Sequence, residues 1–210
     1  MSAHPGWTAT LGPIHVAGGR VRLRPIKLSD AGTWSRIRMQ DRGHLEPWEP
    51  TGQGSWESRN HLSNWPPLWS SLRSEARKGR MIPLAIELDG VFCGQLTVGN
   101  ITRGALRSAW IGYWVAKEHN GKGVATAALA LGVDHCFGPA RLHRVEATVR
   151  PENLASQAVL RKVGFREEGI LQRYLDVDGA WRDHILVAIT TEEVPGSVCD
   201  RVVRAGKASW

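Results

Sequence analysis

The sequence predicts an α/β protein in which one mixed sheet carries helices on both faces. Seven segments have the alternating or continuously apolar pattern that is typical of β-strands. Helical segments lie between these strands along the chain, and a sheet covered on both faces would bury the apolar sides of both kinds of element. A glycine-containing loop at residues 120–126 joins one predicted strand to an alanine-rich helix, at the strand end where such sheets bind ligands.

The first part of the chain predicts one strand followed by two helical regions. Ser29-Asp30 and Ser55 are typical helix caps, and Gly79 is a typical helix end. Between the two helical regions, residues 44–50 contain two prolines, which predict a stiff loop rather than a regular helix. The predicted elements are a strand at 21–26, a helix at 30–39 and a helical region at 56–78 that is interrupted at Pro66-Pro67.

The second part predicts the rest of the sheet and two further helices. Asp89-Gly90 and Asp178-Gly179 are strong signals for two-residue hairpins. Gly138-Pro139 ends one helix, and Asn153 can cap the next. The predicted elements are strands at 81–88, 91–98 and 106–115, a helix at 124–137, a strand at 145–149, a helix at 153–163, and strands at 165–177 and 180–189.

Length and composition predict one soluble domain. The 210 residues are 42% hydrophobic and 22% charged, and no apolar run approaches the roughly 20 residues that span a bilayer. Residues 1–12 are predicted to be a flexible tail, 13–190 a single domain, and 191–210 a C-terminal tail without periodicity. The N-terminal residues lack the pattern of a secretion signal, so we expect a cytoplasmic protein without membrane contact.

The three cysteines lie far apart along the chain, at Cys93, Cys136 and Cys199. This spacing argues against a disulfide framework and against a thiolate zinc site, so no metal is expected. The net charge of +7 and the pI of about 9.8 favour acidic partners, such as a polyphosphate cofactor or nearby RNA. Because the basic residues are spread along the chain, direct nucleic-acid binding is not predicted.

The loop at residues 120–126 is a candidate anion site. Gly121 and Gly123 let the backbone turn tightly, and the amides of the loop and of the first helical turn have no intrahelical partner. The helix dipole adds positive potential, and Lys122 adds a formal cation. Such a loop binds a phosphate or diphosphate, although it matches neither the Walker nor the dinucleotide pattern.

Two stretches of the sequence resemble the signatures of the GCN5-related N-acetyltransferase family. The first is Tyr113-Trp114-Val115 followed by Asn120-Gly121-Lys122-Gly123-Val124-Ala125, and the second is Asn153-Leu154-Ala155-Ser156-Gln157-Ala158-Val159-Leu160-Arg161-Lys162-Val163-Gly164-Phe165. They occur in order and at family-like spacing. The resemblance implies the family fold, with a mostly antiparallel central sheet of about seven strands, and acetyl-CoA as the co-substrate.

Two further stretches resemble the RimJ group of ribosomal-protein-alanine N-acetyltransferases within that family. They are His44-Leu45-Glu46-Pro47-Trp48-Glu49-Pro50 and Tyr174-Leu175-Asp176-Val177-Asp178-Gly179-Ala180-Trp181-Arg182-Asp183-His184. This implies acetyl transfer to the α-amine of a protein N-terminus. The partners it implies are acetyl-CoA and a ribosomal protein, with nucleic acid nearby only through the ribosome, and a homodimer is left open.

The resemblance also implies which residues hold the cofactor. The diphosphate would rest on amides of the glycine loop, and pantetheine would pair with the strand edge as an added extended segment. The predicted cofactor-binding residues are Trp114, Val115, Asn120, Gly121, Lys122, Gly123, Val124, Ala125, Thr126, Asn153 and Ser156. Asn120 stands where the family most often has Gln or Arg, and Leu160 stands where many members have a tyrosine that protonates the leaving thiolate.

For each of the two catalytic roles, the acid that protonates the thiolate and the base, the sequence leaves alternatives. Ser156 is predicted to protonate the thiolate, or else to satisfy the helix N-terminus. Glu146 or Asp183 is predicted as the base, and His143 and His184 can also titrate near neutrality, although lone histidines are more often structural. An α-amine has a pKa of about 7.7–8.0, so a weak base suffices.

The acceptor pocket is predicted to combine carboxylates for an ammonium group with aromatic side chains. Its residues are Glu46, Trp48, Glu49, Tyr174, Trp181 and Asp183. Two other functions stay open: acetylation of a small amine such as an aminoglycoside, polyamine or amino acid, and a non-catalytic module that binds RNA or the ribosome.

Overall fold

Eight strands form one sheet in the computed structural model, which describes residues 8–210. The strands are β1 (Leu11–Val16), β2 (Gly19–Pro25), β3 (Ile82–Leu88), β4 (Val91–Thr102), β5 (Ser108–Val115), β6 (Arg144–Val149), β7 (Arg166–Val177) and β8 (Ala180–Thr190). The helices are α1 (Ala31–Gln40), α2 (Arg42–Leu45), α3 (Trp56–Asn60), α4 (Trp65–Arg77), α5 (Val124–Phe137), α6 (Leu154–Val163) and α7 (Val198–Arg204).

The sheet has the order β1-β2-β3-β4-β5-β6-β8-β7 and is mostly antiparallel. Alternate side chains of a strand point to opposite faces of the sheet. Both faces carry apolar side chains here, and helices cover each of them. Leu84 and Ile86 of β3 join a large core with α5, α6 and α7, whereas Ala85 joins a smaller core with Trp34 of α1 and Trp65 of α4. The predicted fold class is confirmed.

The separation of β5 from β6 within the sheet determines where the main cleft lies. These parallel strands pair only at their beginnings, and Trp110 and Glu146 form the last pair. Beyond it, β5 continues beside β4 as far as Val115, while β6 continues beside β8 as far as Val149. A cleft therefore opens in the middle of the sheet, between the carboxyl-terminal halves of β5 and β6.

Two elements near the ends of the described chain were not predicted from the sequence. Strand β1 begins at Leu11, inside the stretch assigned to the N-terminal tail, whose first seven residues lie outside the described part. Helix α7 lies in the segment left unassigned, where Asp134 of α5 accepts hydrogen bonds from the amides of Val198 and Cys199. Both elements are short, and β1 contains Gly12-Pro13, so neither shows a clear hydrophobic period.

The prolines in the first part of the chain act differently from the prediction. Pro66 and Pro67 lie in the first turn of α4, where a missing N–H costs no hydrogen bond, so they begin that helix rather than interrupt it. The stretch predicted as a loop, residues 44–50, contains the end of α2 and then a single 3₁₀ turn, Glu46–Trp48.

None of the helices found in residues 8–210 combines the length and apolar character that a membrane span requires.

Candidate active site

A cavity of about 940 Å³ occupies the cleft between β5 and β6. Its walls come from β5, the glycine loop, the end of β6, the start of α6, His184 of β8 and part of residues 44–51. We call residues 44–51 the acceptor strap. The cavity therefore joins the two stretches that carry the family signatures to both stretches that carry the RimJ-like pattern, although His184 is the only residue that the second of these contributes among the described residues.

The glycine loop forms one end of this cavity. Gly121 and Gly123 have φ values of +74° and +84°, in the left-handed region that favours glycine. The first intrahelical hydrogen bond of α5 runs from the Ala127 amide to the Gly123 carbonyl at 3.0 Å, so the amides of Val124, Ala125 and Thr126 have no helical acceptor. These amides and the helix dipole can hold a diphosphate.

Most predicted cofactor-binding residues lie in the wall of this cavity. They are Trp114, Val115, Asn120, Gly121, Gly123, Val124, Ala125, Thr126, Asn153 and Ser156. Lys122 does not line it. The Lys122 carbonyl accepts a hydrogen bond from the Gly18 amide at 3.2 Å, so this part of the loop contacts the β1–β2 turn instead.

The free edge of β5 lies next to the glycine loop. The Ala116 amide donates to the Cys93 carbonyl on the β4 side at 2.8 Å, and successive amides of a strand point to alternate sides. The Val115 N–H therefore faces the cleft, where β6 has already separated. Gly94 of β4 permits this arrangement, because a Cβ at that position would overlap the Trp114 carbonyl oxygen.

A tyrosine and a serine meet across the cavity. The Tyr113 hydroxyl lies 3.1 Å from Ser156 Oγ, and burial raises the pKa of Tyr113 to about 12, so the phenol keeps its proton. Asn153 Oδ1 accepts the Ser156 amide at 3.0 Å, as predicted for a cap, which leaves the serine hydroxyl free for another role. Tyr113 belongs to the first family signature, but the sequence alone indicated no function for it.

Neither carboxylate predicted as the base lies in the cavity wall. Glu146 lies at the closed end of the cleft and accepts a 2.6 Å hydrogen bond from Arg144 Nε. Asp183 accepts the Arg173 amide at 2.7 Å. Its neighbour His184 lines the cavity, so alternation along β8 directs Asp183 to the other face.

The predicted acceptor residues are only partly brought together. Trp48 and Glu49 line the cavity. Glu46 does not, and its carboxylate instead pairs with Arg42 at 2.6 Å. Tyr174 and Trp181 lie on the β7–β8 hairpin outside the cavity, with exposed fractions of 47% and 66%.

Residues 20–166 match the family described as the acetyltransferase (GNAT) domain. The chain belongs to this family. The identification made from the two signatures is therefore confirmed, and the chain is an acetyl-CoA-dependent N-acetyltransferase. Enzymes of this family need no metal.

Named relatives of this acetyltransferase match over most of its length. The structure of Mycobacterium smegmatis RimJ in complex with CoA-disulfide is 63% identical, with a TM-score of 0.97 and 99% of both chains covered. The probable N-acetyltransferase YjcK of Bacillus subtilis is 46% identical over 82% of this chain and 94% of its own. The ribosomal protein uS5-alanine N-acetyltransferase of Escherichia coli is 27% identical over 91% of this chain and 98% of its own.

The buried side chain of Arg38 positions part of the cavity wall near the acceptor strap. The guanidinium of Arg38 lies over the rings of Trp34, Trp56 and Trp114, at 5.5, 4.7 and 5.4 Å from their centroids. It also donates to Asn60 Oδ1, and to Glu49 Oε2 at 2.5 Å. Arg38 therefore fixes Glu49 in the cavity wall, a role that helical spacing alone did not indicate.

The acceptor strap is tied to both sides of the cleft. Arg150, just beyond β6, donates to the Pro47 carbonyl at 3.1 Å and stacks on Trp48. The Thr51 amide donates to the Asp176 carbonyl on the β7–β8 hairpin at 2.8 Å. On the cofactor side, Asn120 Nδ2 lies 3.2 Å from His44 Nε2. The strap thus covers the cavity between the glycine loop and the hairpin.

Proposed function

We propose that this acetyltransferase modifies the N-terminal α-amine of a ribosomal protein, in the cytoplasm and by direct attack in a ternary complex. The observation that carries the proposal is one cavity that contains an amide cradle at one end and the carboxylate of Glu49 beside Trp48 at the other. The similarity to Mycobacterium smegmatis RimJ and to the uS5-alanine enzyme supports a ribosomal-protein acceptor.

Acetyl-CoA would lie along the cleft from the glycine loop to the acceptor strap. The amides of residues 121–126 hold the diphosphate, and pantetheine runs along the free edge of β5. The thioester carbonyl then reaches the Val115 N–H. Because this donor is fixed by the strand, it stabilises the oxyanion without reorganisation when the amine attacks.

The acceptor amine approaches from the strap side. An α-amine is partly neutral at pH 7, whereas a lysine ε-amine with a pKa near 10.4 is almost fully protonated. Glu49 offers a negative charge that attracts the ammonium form, and Trp48 offers an apolar surface for a short first side chain. This combination favours a protein N-terminus over a lysine side chain.

Ser156 donates a hydrogen bond to the sulfur as the carbon–sulfur bond breaks. Because the Tyr113 phenol keeps its proton, it can donate to Ser156 Oγ at 3.1 Å, and the serine proton is then available to the cavity. The Tyr113–Ser156 pair supplies the hydroxyl that many family members take from a tyrosine at the position of Leu160, which here is buried and apolar.

Replacing Ser156 by alanine is expected to lower kcat by about 10²-fold, because the departing thiolate loses its hydrogen-bond donor. The KM for acetyl-CoA should change little. Steady-state kinetics measures both constants, with Ser71→Ala on the exposed face of α4 as the matched control. A kcat near the wild-type value would remove Ser156 from the mechanism.

The function itself is tested by release of the CoA thiol. The acceptors are a peptide with the N-terminal sequence of ribosomal protein uS5, the same peptide with a blocked α-amine, spermidine, and no acceptor. We expect release only with the free α-amine. Three results would contradict the proposal: equal release of CoA thiol with the blocked peptide, faster release with spermidine than with the free peptide, and no release with any of the acceptors.

A further inference from the structure

The acetyl transfer proposed above requires a group that takes a proton from the attacking nitrogen. Neither Glu146 nor Asp183 lines the cavity, and each carboxylate has a partner elsewhere. We propose that the base is His184, through its Nε2 atom. This inference rests on the proposed function, because it concerns the same reaction in the same cavity.

The surroundings of His184 fix which nitrogen can accept a proton. The Nδ1 atom lies 3.1 Å from the Arg182 carbonyl oxygen, and a carbonyl oxygen can only accept. Nδ1 therefore carries the hydrogen and donates it. In a neutral imidazole the lone pair is then on Nε2, and the ring orientation is held by the Nδ1 bond.

The Nε2 atom of His184 has no hydrogen-bond partner among residues 8–210, whereas Nδ1 has one. The residue is only 4% exposed, and Nε2 is not fully enclosed by the surrounding protein. Since His184 lines the cavity, we take this remaining accessible surface of Nε2 to face the cavity. Buried polar groups are normally paired, so an acceptor that is open only toward a cavity indicates a partner supplied by a ligand.

The position of His184 along the sheet suits this role. It precedes Ile185, which pairs with Val149 at the carboxyl end of β6. The carboxyl end of β5, with the Val115 N–H, forms the opposite wall of the cleft. A thioester carbonyl held by Val115 and an amine entering beneath the strap would therefore meet between the two strand ends, on the side of His184.

The carboxylates and the other histidines in the cavity wall are already engaged or lie elsewhere. The carboxylate of Glu49 pairs with Arg38, and that of Glu152 pairs with Arg150 at 3.2 Å. His44 contacts Asn120, and His119 belongs to the turn that leads into the glycine loop, so both lie at the diphosphate end. Tyr174 of β7 packs its ring edge against His184 at 5.8 Å from outside the cavity.

Acetyl transfer moves one proton from the amine to His184. The amine nitrogen forms a bond to the carbonyl carbon, and one of its protons moves to Nε2 of His184. The carbon–sulfur bond then breaks, and the electron pair leaves with the thiolate. The thiolate gains one proton from solvent through Ser156 Oγ, His184 loses its proton to solvent, and the sum is an amide and CoA thiol.

The test compares His184→Gln with His61→Gln, which changes an exposed histidine outside the cavity. For His184→Gln we expect kcat to fall by about 10²-fold while the affinity for acetyl-CoA, measured by calorimetry, stays at the wild-type value. His61→Gln should keep both values. A His184→Gln variant that acetylates the uS5 N-terminal peptide at the wild-type rate would overturn the inference.

A second variant guards against a purely structural effect. His184→Ala should lose activity and regain at least tenfold of it when imidazole is added, because free imidazole can occupy the space and accept the proton. Loss of activity without this rescue would overturn the inference. The wild-type assay separates the function from the base: no peptide acetylation by the wild type contradicts the function, whereas an active wild type with an equally active His184→Gln contradicts only the base.

Discussion

Replacing Gly123 by valine is expected to weaken acetyl-CoA binding by at least about 10²-fold, which is about 2.7 kcal/mol. Gly123 has a φ of +84°, a conformation that a β-branched residue adopts only with strain. A Cβ there would also lie 3.1 Å from the Val16 Cβ. The loop must therefore shift, and the amides that begin α5 shift with it. Calorimetric titration with acetyl-CoA measures the change.

The matched control for this prediction is Gly104→Val. Gly104 has a φ of +73° and lies on an exposed turn between β4 and β5, where an added Cβ would meet no heavy atom within 4 Å. The substitution imposes similar backbone strain far from the cavity, so acetyl-CoA affinity should be unchanged. Equal affinities for the wild type and Gly123→Val would mean that the loop amides do not hold the diphosphate.

Replacing Arg38 by alanine is expected to lower the free energy of unfolding by about 3 kcal/mol. The change removes a buried cation and leaves Asn60 Oδ1 and the Glu49 carboxylate without their partner. It also empties the space between three tryptophan rings. Glu49 is 27% exposed and water can reach it, which keeps the expected value at the lower end for a broken buried ion pair. Urea unfolding measures the difference.

An exposed arginine nearby serves as the control for Arg38. Arg42 pairs with Glu46 and Glu57 on the surface of the same region, where ion pairs contribute little. Arg42→Ala should therefore unfold close to the wild-type midpoint. Arg38→Ala should in addition raise the KM for the acceptor peptide, because Glu49 is no longer held. Identical unfolding curves for the two variants would show that the contacts of Arg38 with Trp34, Trp56 and Trp114 do not stabilise the fold.

The cofactor end of the site was predictable because its chemistry is local. The glycines at 121 and 123, the strand before them and the helix after them are consecutive in the chain, so spacing alone predicts the cradle. The Asn153 cap was predictable for the same reason, since it involves residues three positions apart. Sequence patterns of this kind report neighbours along the chain directly.

The catalytic and acceptor residues were harder to place, because their positions depend on contacts between distant segments. Whether Glu146 lines the cleft depends on where β5 and β6 separate, and the last pair of those strands includes Glu146 itself. Whether Asp183 or His184 faces the cleft depends on the face of β8, which the register with β6 decides. A shift of one residue would exchange the two.

The partners of Tyr113 and Arg38 could not be read from the sequence either. Tyr113 meets Ser156 across the cleft, 43 positions later in the chain. Arg38 reaches Trp114 on β5 and Glu49 on the strap, and no periodic pattern marks either contact. Such pairs become visible only when the two cores on opposite faces of the sheet are assembled.

The most direct test of the central claim is a crystal structure of this protein grown with acetyl-CoA. We predict diphosphate oxygens at about 3 Å from successive amides of residues 121–126, with the thioester carbonyl at the Val115 N–H. A diphosphate bound anywhere else on the molecule, with those amides facing only water, would contradict this claim.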